Sequence, residues 1–99
     1  MDDLEEVDEE WKTITGWPDY SVSNYGRVYN NRHGRYLKPS YSDGYLRVCL
    51  SSSNKKETIR VHVLVAEAFI NDWFRGSYIK HIDGDNTYNI VDNLEIRGK

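Results

Sequence analysis

Apolar and polar positions alternate in short runs through the first sixty residues, and a three-to-four spacing takes over only after that. Trp11-Lys12-Thr13-Ile14 is β-prone and bounded by Gly16 and Pro18, which predicts an opening strand. Tyr20-Ser21-Val22-Ser23 alternates and runs into Asn24-Tyr25-Gly26, where Asn and Gly supply turn chemistry. Arg27-Val28-Tyr29 reads as the returning strand, Asn30 to Arg35 as a polar loop, and Tyr36-Leu37-Lys38 as a run that stops at Pro39. The clearest strand follows Asp43-Gly44. From Tyr45 to Leu50 it sets Leu46, Val48 and Leu50 on one face and Tyr45, Arg47 and Cys49 on the other. Ser51 to Lys56 makes a hairpin loop, and Glu57 to Val61 pairs back with Ile59 and Val61 inward. Val61, Leu64, Val65, Ala68 and Phe69 then recur at helical spacing, predicting one amphipathic helix over His62 to Ile70 that Asn71-Asp72 ends. Tyr78 to Ile82 is β-like again, Asp83-Gly84-Asp85-Asn86 is a tight polar turn, and Ile90, Val91, Leu94 and Ile96 are the last apolar positions. Without repeats or a Pro- or Ser-rich linker, the pattern predicts one α+β unit whose first half is a small antiparallel sheet.

Composition narrows the class. Ninety-nine residues with 38% apolar content make one domain with a thin core, to which eight Tyr and three Trp must contribute much of the buried area. No apolar run approaches the roughly 20 residues that span a bilayer, and the acidic N-terminus is unlike a secretory signal. The single cysteine, Cys49, rules out an internal disulfide framework and a multi-cysteine zinc site. The expectation is a small cytoplasmic protein of a bacterial or phage-infected cell.

Charge is divided unevenly. Residues 1–10 hold seven acids and no base, leaving nine acids against 13 bases from Trp11 onward. Between Asn24 and Arg60 there are eight bases (Arg27, Arg32, Arg35, Lys38, Arg47, Lys55, Lys56 and Arg60) against two acids. With only Leu4 and Val7 to bury, residues 1–10 are expected to be a disordered acidic tail, either a solubilising segment or one that competes with a polyanion for the basic body. A basic segment interleaved with Tyr29, Tyr36, Tyr41 and Tyr45 is expected to neutralise phosphates and bind double-stranded DNA in a salt-dependent way.

Three histidines can carry chemistry. His33 lies in a polar loop, as an exposed residue or a phosphate contact. His62 starts the helix under an apolar stripe and reads as a structural, hydrogen-bonded histidine. His81 ends a β-run and faces a turn rich in Asp and Asn, with Asn89 and Asn93 eight and twelve residues later. An imidazole there, oriented by an amide, can take a proton from water, and nearby oxygens suit Mg²⁺. The same turn also reads as one whose side chains only satisfy their own backbone.

Two segments carry a resemblance. Trp11 to Ile14 with Tyr20-Ser21-Val22-Ser23-Asn24-Tyr25-Gly26-Arg27-Val28 resembles the NUMOD4 module found beside phage and intron-encoded HNH endonucleases. Val61-His62-Val63-Leu64-Val65-Ala66-Glu67-Ala68-Phe69-Ile70, followed by His81-Ile82-Asp83-Gly84-Asp85-Asn86, Asn89 and Asn93-Leu94-Glu95, resembles the HNH domain of those enzymes. The resemblance implies a metal-dependent DNA endonuclease, a hydrolase that nicks or cuts a phosphodiester. It makes His81 the general base, has Asn93 fix the His81 ring, and has Asn89 stabilise the loop between two strands of a ββα-metal motif. Mg²⁺ or another divalent cation is the implied cofactor, with no ligand set assigned.

Two departures from the family pattern are visible. Lys80 stands where members often carry an Asp or Asn metal ligand, and Arg97-Gly98-Lys99 stands where the family continues into a helix. The expected organisation is an acidic tail (1–10), a NUMOD4-like DNA-binding sheet (11–60) and a truncated HNH-like hairpin segment (61–99) packed on it as one unit. The expected function is an HNH-type endonuclease. The alternatives are an inactive nuclease-derived DNA-binding or regulatory protein, and a module whose acidic tail docks on a protein partner. A homodimer that supplies missing ligands is also compatible with the sequence.

Overall fold

A computed structural model describes residues 8–97 and arranges them as nine strands, one α-helix and one 3₁₀ turn. Strands β1 (Trp11–Ile14), β2 (Trp17–Ser23), β3 (Val28–Asn30) and β4 (Arg35–Tyr36) form one antiparallel sheet in sequence order. Strands β5 (Ser40–Ser42), β6 (Tyr45–Ser51) and β7 (Lys56–Arg60) form a second. Helix α1 (Val61–Phe69) follows without a linker, and β8 (Tyr78–His81) pairs with β9 (Leu94–Arg97) across a loop that ends in a 3₁₀ turn at Val91–Asn93. The class is α+β with antiparallel pairing throughout, and the first half is divided into two sheets. No helix among the described residues is long and apolar enough to cross a membrane.

The two sheets share one core. Val22 and Val28 from the first, Val48 and Leu50 from the second, and Val61, Leu64 and Val65 from α1 are buried together with Ile14, Trp17 and Leu94. Helix α1 has no side-chain cap at its N-terminus, and in its last turn Lys12 Nζ donates to the Ala68 carbonyl at 3.2 Å. At nine residues it is too short to stand alone in water, so its stability comes from the face it buries. Tyr20 joins the sheets: its hydroxyl accepts from the Ser51 amide at 3.1 Å and donates to the Ser51 carbonyl at 3.2 Å. Lys55 rests on the Trp17 ring, 4.4 Å from its centre, and covers the core's edge.

The turn between β2 and β3 ties the first sheet to the β8–β9 hairpin. Asn24 is buried there, and its carbonyl accepts from the Val91 amide at 2.8 Å. Its side chain accepts from the Glu10 amide at 2.7 Å and donates to the Asp8 carbonyl at 3.3 Å, while its own amide donates to the Glu10 carbonyl at 3.0 Å. Gly26, at φ +87°, packs directly against the Asn89 backbone. Residues 8–10, expected within a disordered tail, are instead held on the sheet. The acidic composition predicted solvation, but Asn24 supplies backbone hydrogen bonds and Arg27 a carboxylate partner. The rest of the expected tail, residues 1–7, lies outside the described residues.

Candidate active site

The site grows out of the β6–β7 register. Arg47 pairs with Arg60, Cys49 with Thr58 and Ser51 with Lys56. Extending that register by two residues sets position 62 opposite Tyr45. The chain turns into α1 at Val61, and His62 lies stacked on Tyr45 with ring centres 5.1 Å apart at 26°. His81, at the end of β8, completes the group: its ring is 4.9 Å from His62 and 6.2 Å from Tyr45. Both imidazoles are buried, at 6% and 5% exposure.

Asn89 fixes the His81 ring. Its Oδ1 lies 2.8 Å from His81 Nε2 within the buried layer. An amide oxygen only accepts, so Nε2 carries the proton and Nδ1 keeps the lone pair. That tautomer makes Nδ1 the basic atom. His81 also lines an open cleft of about 460 Å³ with Tyr78, Ile79, Lys80, Asn86 and Arg97, which gives solvent and ligand an approach.

Asn93 builds the loop. Its Oδ1 accepts from the Asp83 amide at 3.1 Å, and its Nδ2 donates to Asp83 Oδ1 at 3.0 Å and to the Tyr88 carbonyl at 2.9 Å. The two asparagines therefore exchange the parts expected of them: Asn89 holds the ring and Asn93 staples the loop. The reason is local. Asn93 lies in the 3₁₀ turn beside the Asp83 turn, whereas Asn89 projects from the segment packed on Gly26 toward His81. Asp85 caps the next turn, with Oδ1 accepting from the Thr87 amide at 2.9 Å and its hydroxyl at 2.7 Å, and the hydroxyl bond foremost holds its pKa below the usual carboxylate range.

His62 is not the hydrogen-bonded structural histidine expected of it, since its Nδ1 is buried without a partner. Burial, and after it the nearby His81 and Arg60, push its pKa down to about 4, so it is neutral near pH 7. A buried nitrogen without a partner is less costly as a lone pair than as a polar N–H, which places the His62 proton on Nε2. The sequence reading set Tyr45 among the tyrosines of the DNA-binding segment and His62 as a structural residue of the helix, and brought neither to His81. The usable signal was the alternation of β6, which sets Tyr45 on the same face as Arg47.

The eight expected DNA-binding cations separate into groups. Arg47, Arg60 and Lys56 share the face of the second sheet that carries Tyr45, because directly paired residues project to one side. Arg60 stands 4.5 Å above the Tyr45 ring, and this face leads to the His62–His81 pair. Arg47 reaches Asp43 only at 3.7 Å and keeps a buried Nε without a partner. Arg27 is engaged elsewhere: it forms a two-bond pair with Glu9 at 2.6 and 2.9 Å and lies 4.5 Å from the Tyr36 ring centre. That pair lowers the Glu9 pKa and raises that of Arg27. Arg32 reaches Asp19 at 3.7 Å on the first sheet, where Arg35 and His33 are also exposed. Lys38 is exposed in the link between the sheets, and Lys55 covers Trp17.

Among the described residues, no three His, Cys, Asp or Glu converge on one point to hold a metal ion. Asp83 Oδ1 accepts from Asn93 and from the Asp85 amide, Asp85 serves Thr87, and Lys80 adds an ammonium beside His81 in sequence.

Comparison with known proteins agrees with this architecture. Residues 9–51 match the NUMOD4 motif. The chain is 40% identical over 87 residues to the DNA endonuclease I-HmuI of Bacillus phage SP01, covering 86% of this chain and 50% of that one. It is likewise 40% identical over 85 residues to the uncharacterized HNH endonuclease L245 of Acanthamoeba polyphaga mimivirus, covering 86% of this chain and 26% of the relative. A solved structure of DNA binding and cleavage by the HNH homing endonuclease I-HmuI superposes with a TM-score of 0.83 at 38% identity, covering 90% of this chain and 52% of that one. The chain thus spans half or less of the length of these two curated relatives. With the NUMOD4 motif over β1 to β6 and HNH endonucleases matching 86% of the chain, the chain is a relative of the NUMOD4/HNH endonucleases.

Proposed function

We propose that this chain binds double-stranded DNA on the Arg47–Arg60 face and presents one phosphodiester to His81, which acts as general base in its hydrolysis. The observation that carries the reading is the His81–Asn89 bond of 2.8 Å, which fixes the tautomer with Nδ1 as the free base. A base poised this way takes a proton from water as the oxygen attacks phosphorus and one ester P–O bond breaks. Arg47 and Arg60 are like charges placed directly opposite, an arrangement that is destabilising on its own and that a phosphate relieves. A divalent cation is the cofactor that the family relationship suggests, and it would supply charge neutralisation at the phosphate.

A second reading has its own support. Lys80 precedes His81, and the turn carboxylates are bound to their own loop, which favours a DNA-binding protein that does not cleave. Incubation with supercoiled plasmid at low salt, with Mg²⁺, with Mn²⁺ and with chelator, separates the two when run beside His81→Ala. Metal-dependent nicking lost in His81→Ala supports the nuclease. A gel shift without nicking, unchanged by the substitution, supports the binding protein. Absence of both removes DNA from the account.

A further inference from the structure

The outer face of the first sheet carries an aromatic surface that the His81 site does not use. The register pairs Ser21 with Tyr29 and Tyr29 with Tyr36, so these three project to the same side, away from buried Val22 and Val28. Trp11 joins them, 6.1 Å from the Tyr29 ring and 6.0 Å from that of Tyr36, with Tyr29 and Tyr36 5.0 Å apart. Trp11 is 37% exposed and Tyr36 52%, large values for rings that touch one another. They border an open cleft of about 550 Å³ whose polar lining includes Ser21, Asn31 and Arg35.

Charge selects the occupant. The Arg27 guanidinium lies 4.5 Å from the Tyr36 ring centre and 5.7 Å from that of Trp11, so the place a cationic ligand would take on these rings is filled. Among the described residues no carboxylate lines the cleft, while Arg35 lies on it and Arg32 and His33 stand in the loop beside it. Asn31 donates to Ser21 Oγ at 2.9 Å, leaving its amide oxygen and second N–H for another partner. The matching ligand has a flat π-face, a hydrogen-bonding edge and negative charge. Those are the properties of a nucleotide. Trp11 and Tyr36 are too close and too tilted to admit a ring between them, so the base stacks on the open side of the cluster. A paired base inside a duplex offers no free face, whereas an unpaired one does.

We infer that the Trp11–Tyr29–Tyr36 surface is a second nucleic-acid site that stacks an unpaired base, with Arg35 placed for the adjoining phosphate. The inference rests on the reading of the chain as a DNA-binding protein and extends it to single-stranded DNA on the first sheet.

The test measures binding of a fluorescein-labelled ten-residue oligothymidylate and of an equal-length abasic oligomer by anisotropy at low salt, with a duplex alongside. The thymidylate is expected to bind roughly five- to a hundredfold more tightly than the abasic strand, the range for one stacked base. Tyr36→Ala and the bulk-retaining Tyr36→Leu are expected to erase that preference while leaving abasic binding in place, and Tyr36→Phe to retain it. Equal affinity for thymidylate and abasic strands, or a preference that survives Tyr36→Leu, overturns the inference. If that occurs while duplex binding persists, the DNA-binding reading stands. If neither strand nor duplex binds, both fall.

Discussion

Gly26 shows how closely one backbone position controls the chemistry of another. It sits at φ +87°, and a Cβ there would lie 2.9 Å from the Asn89 carbonyl oxygen and 3.1 Å from Asn89 Cβ. Gly26→Ala therefore combines backbone strain with a clash against the residue that holds His81. It is expected to cost about 1–3 kcal/mol in denaturant unfolding, and in NMR spectra to shift the His81 ring signals as the Asn89 bond is disturbed. Unchanged His81 signals would show that the two sites are not coupled. His62 gives a pH dependence of definite sign. Its folded pKa of about 4 lies below the ordinary value of 6.5, so the unfolded chain takes up its proton first as pH falls. The contribution is complete above pH 6.5 and is lost progressively toward pH 4. At about 1.4 kcal/mol per unit, discounted for partial solvation, the loss is about 2 kcal/mol. His62→Phe, which keeps a ring stacked on Tyr45, should flatten that part of the stability curve in urea titrations between pH 4 and 7.

Strand β6 explains why some of the fold was legible and some of the site was not. Its alternation was readable because one face is buried: Val48 and Leu50 point into the core while Tyr45 and Arg47 project opposite. Helix α1 was readable for the same reason, its apolar stripe matching a buried face. Strand β5 was not, because Ser40, Tyr41 and Ser42 are all exposed and only pairing with β6 defines them. Strand β2 begins at Trp17, before Pro18, which had marked a boundary in the sequence. The parts played by Asn89 and Asn93 depend on how the loop folds over Gly26, a tertiary contact that spacing along the chain does not encode. The sharing of one face by cations on β6 and β7 gives a prediction at this scale. Arg47→Gln and Arg60→Gln should each weaken duplex binding across sequences and reduce the slope of log affinity against log salt by about 1. Arg27→Gln should leave that slope nearly unchanged, since its guanidinium already pairs with Glu9. Equal slope changes for all three would mean that the sheet face does not define the interface.

Beyond the shared core, the whole molecule is tied together at one polar junction. The NUMOD4-like sheet and the His81 hairpin meet at the turn after β2, where Asn24 joins the Asp8–Glu10 segment to the sheet with its side chain and the hairpin to it with its carbonyl. Replacing the side chain separates these functions. Asn24→Ala removes the side-chain bonds to Glu10 and Asp8 but keeps the amide that donates to the Glu10 carbonyl and the carbonyl that receives Val91. The Glu10 amide loses its acceptor, at a cost of about 0.5–1.5 kcal/mol, the net worth of one hydrogen bond, since Glu10 is exposed. The Glu9–Arg27 pair then holds the segment together with the bond from the residue-24 amide to the Glu10 carbonyl, and of the two only the pair is sensitive to acid. The Glu9 pKa is depressed by its bond to Arg27, so the pair's contribution is present above the ordinary carboxylate value of 4.5 and disappears as pH falls through the lower folded value. Asn24→Ala should therefore lower the amide protection factors over residues 8–10 at pH 7 and lower them further as acid protonates Glu9, while the Val91 amide stays protected. The wild-type segment should retain protection from the Asn24 bonds in acid, since neither bond titrates. Loss of Val91 protection at pH 7 in Asn24→Ala would show instead that the side chain, and not the backbone of the turn, holds the two halves together.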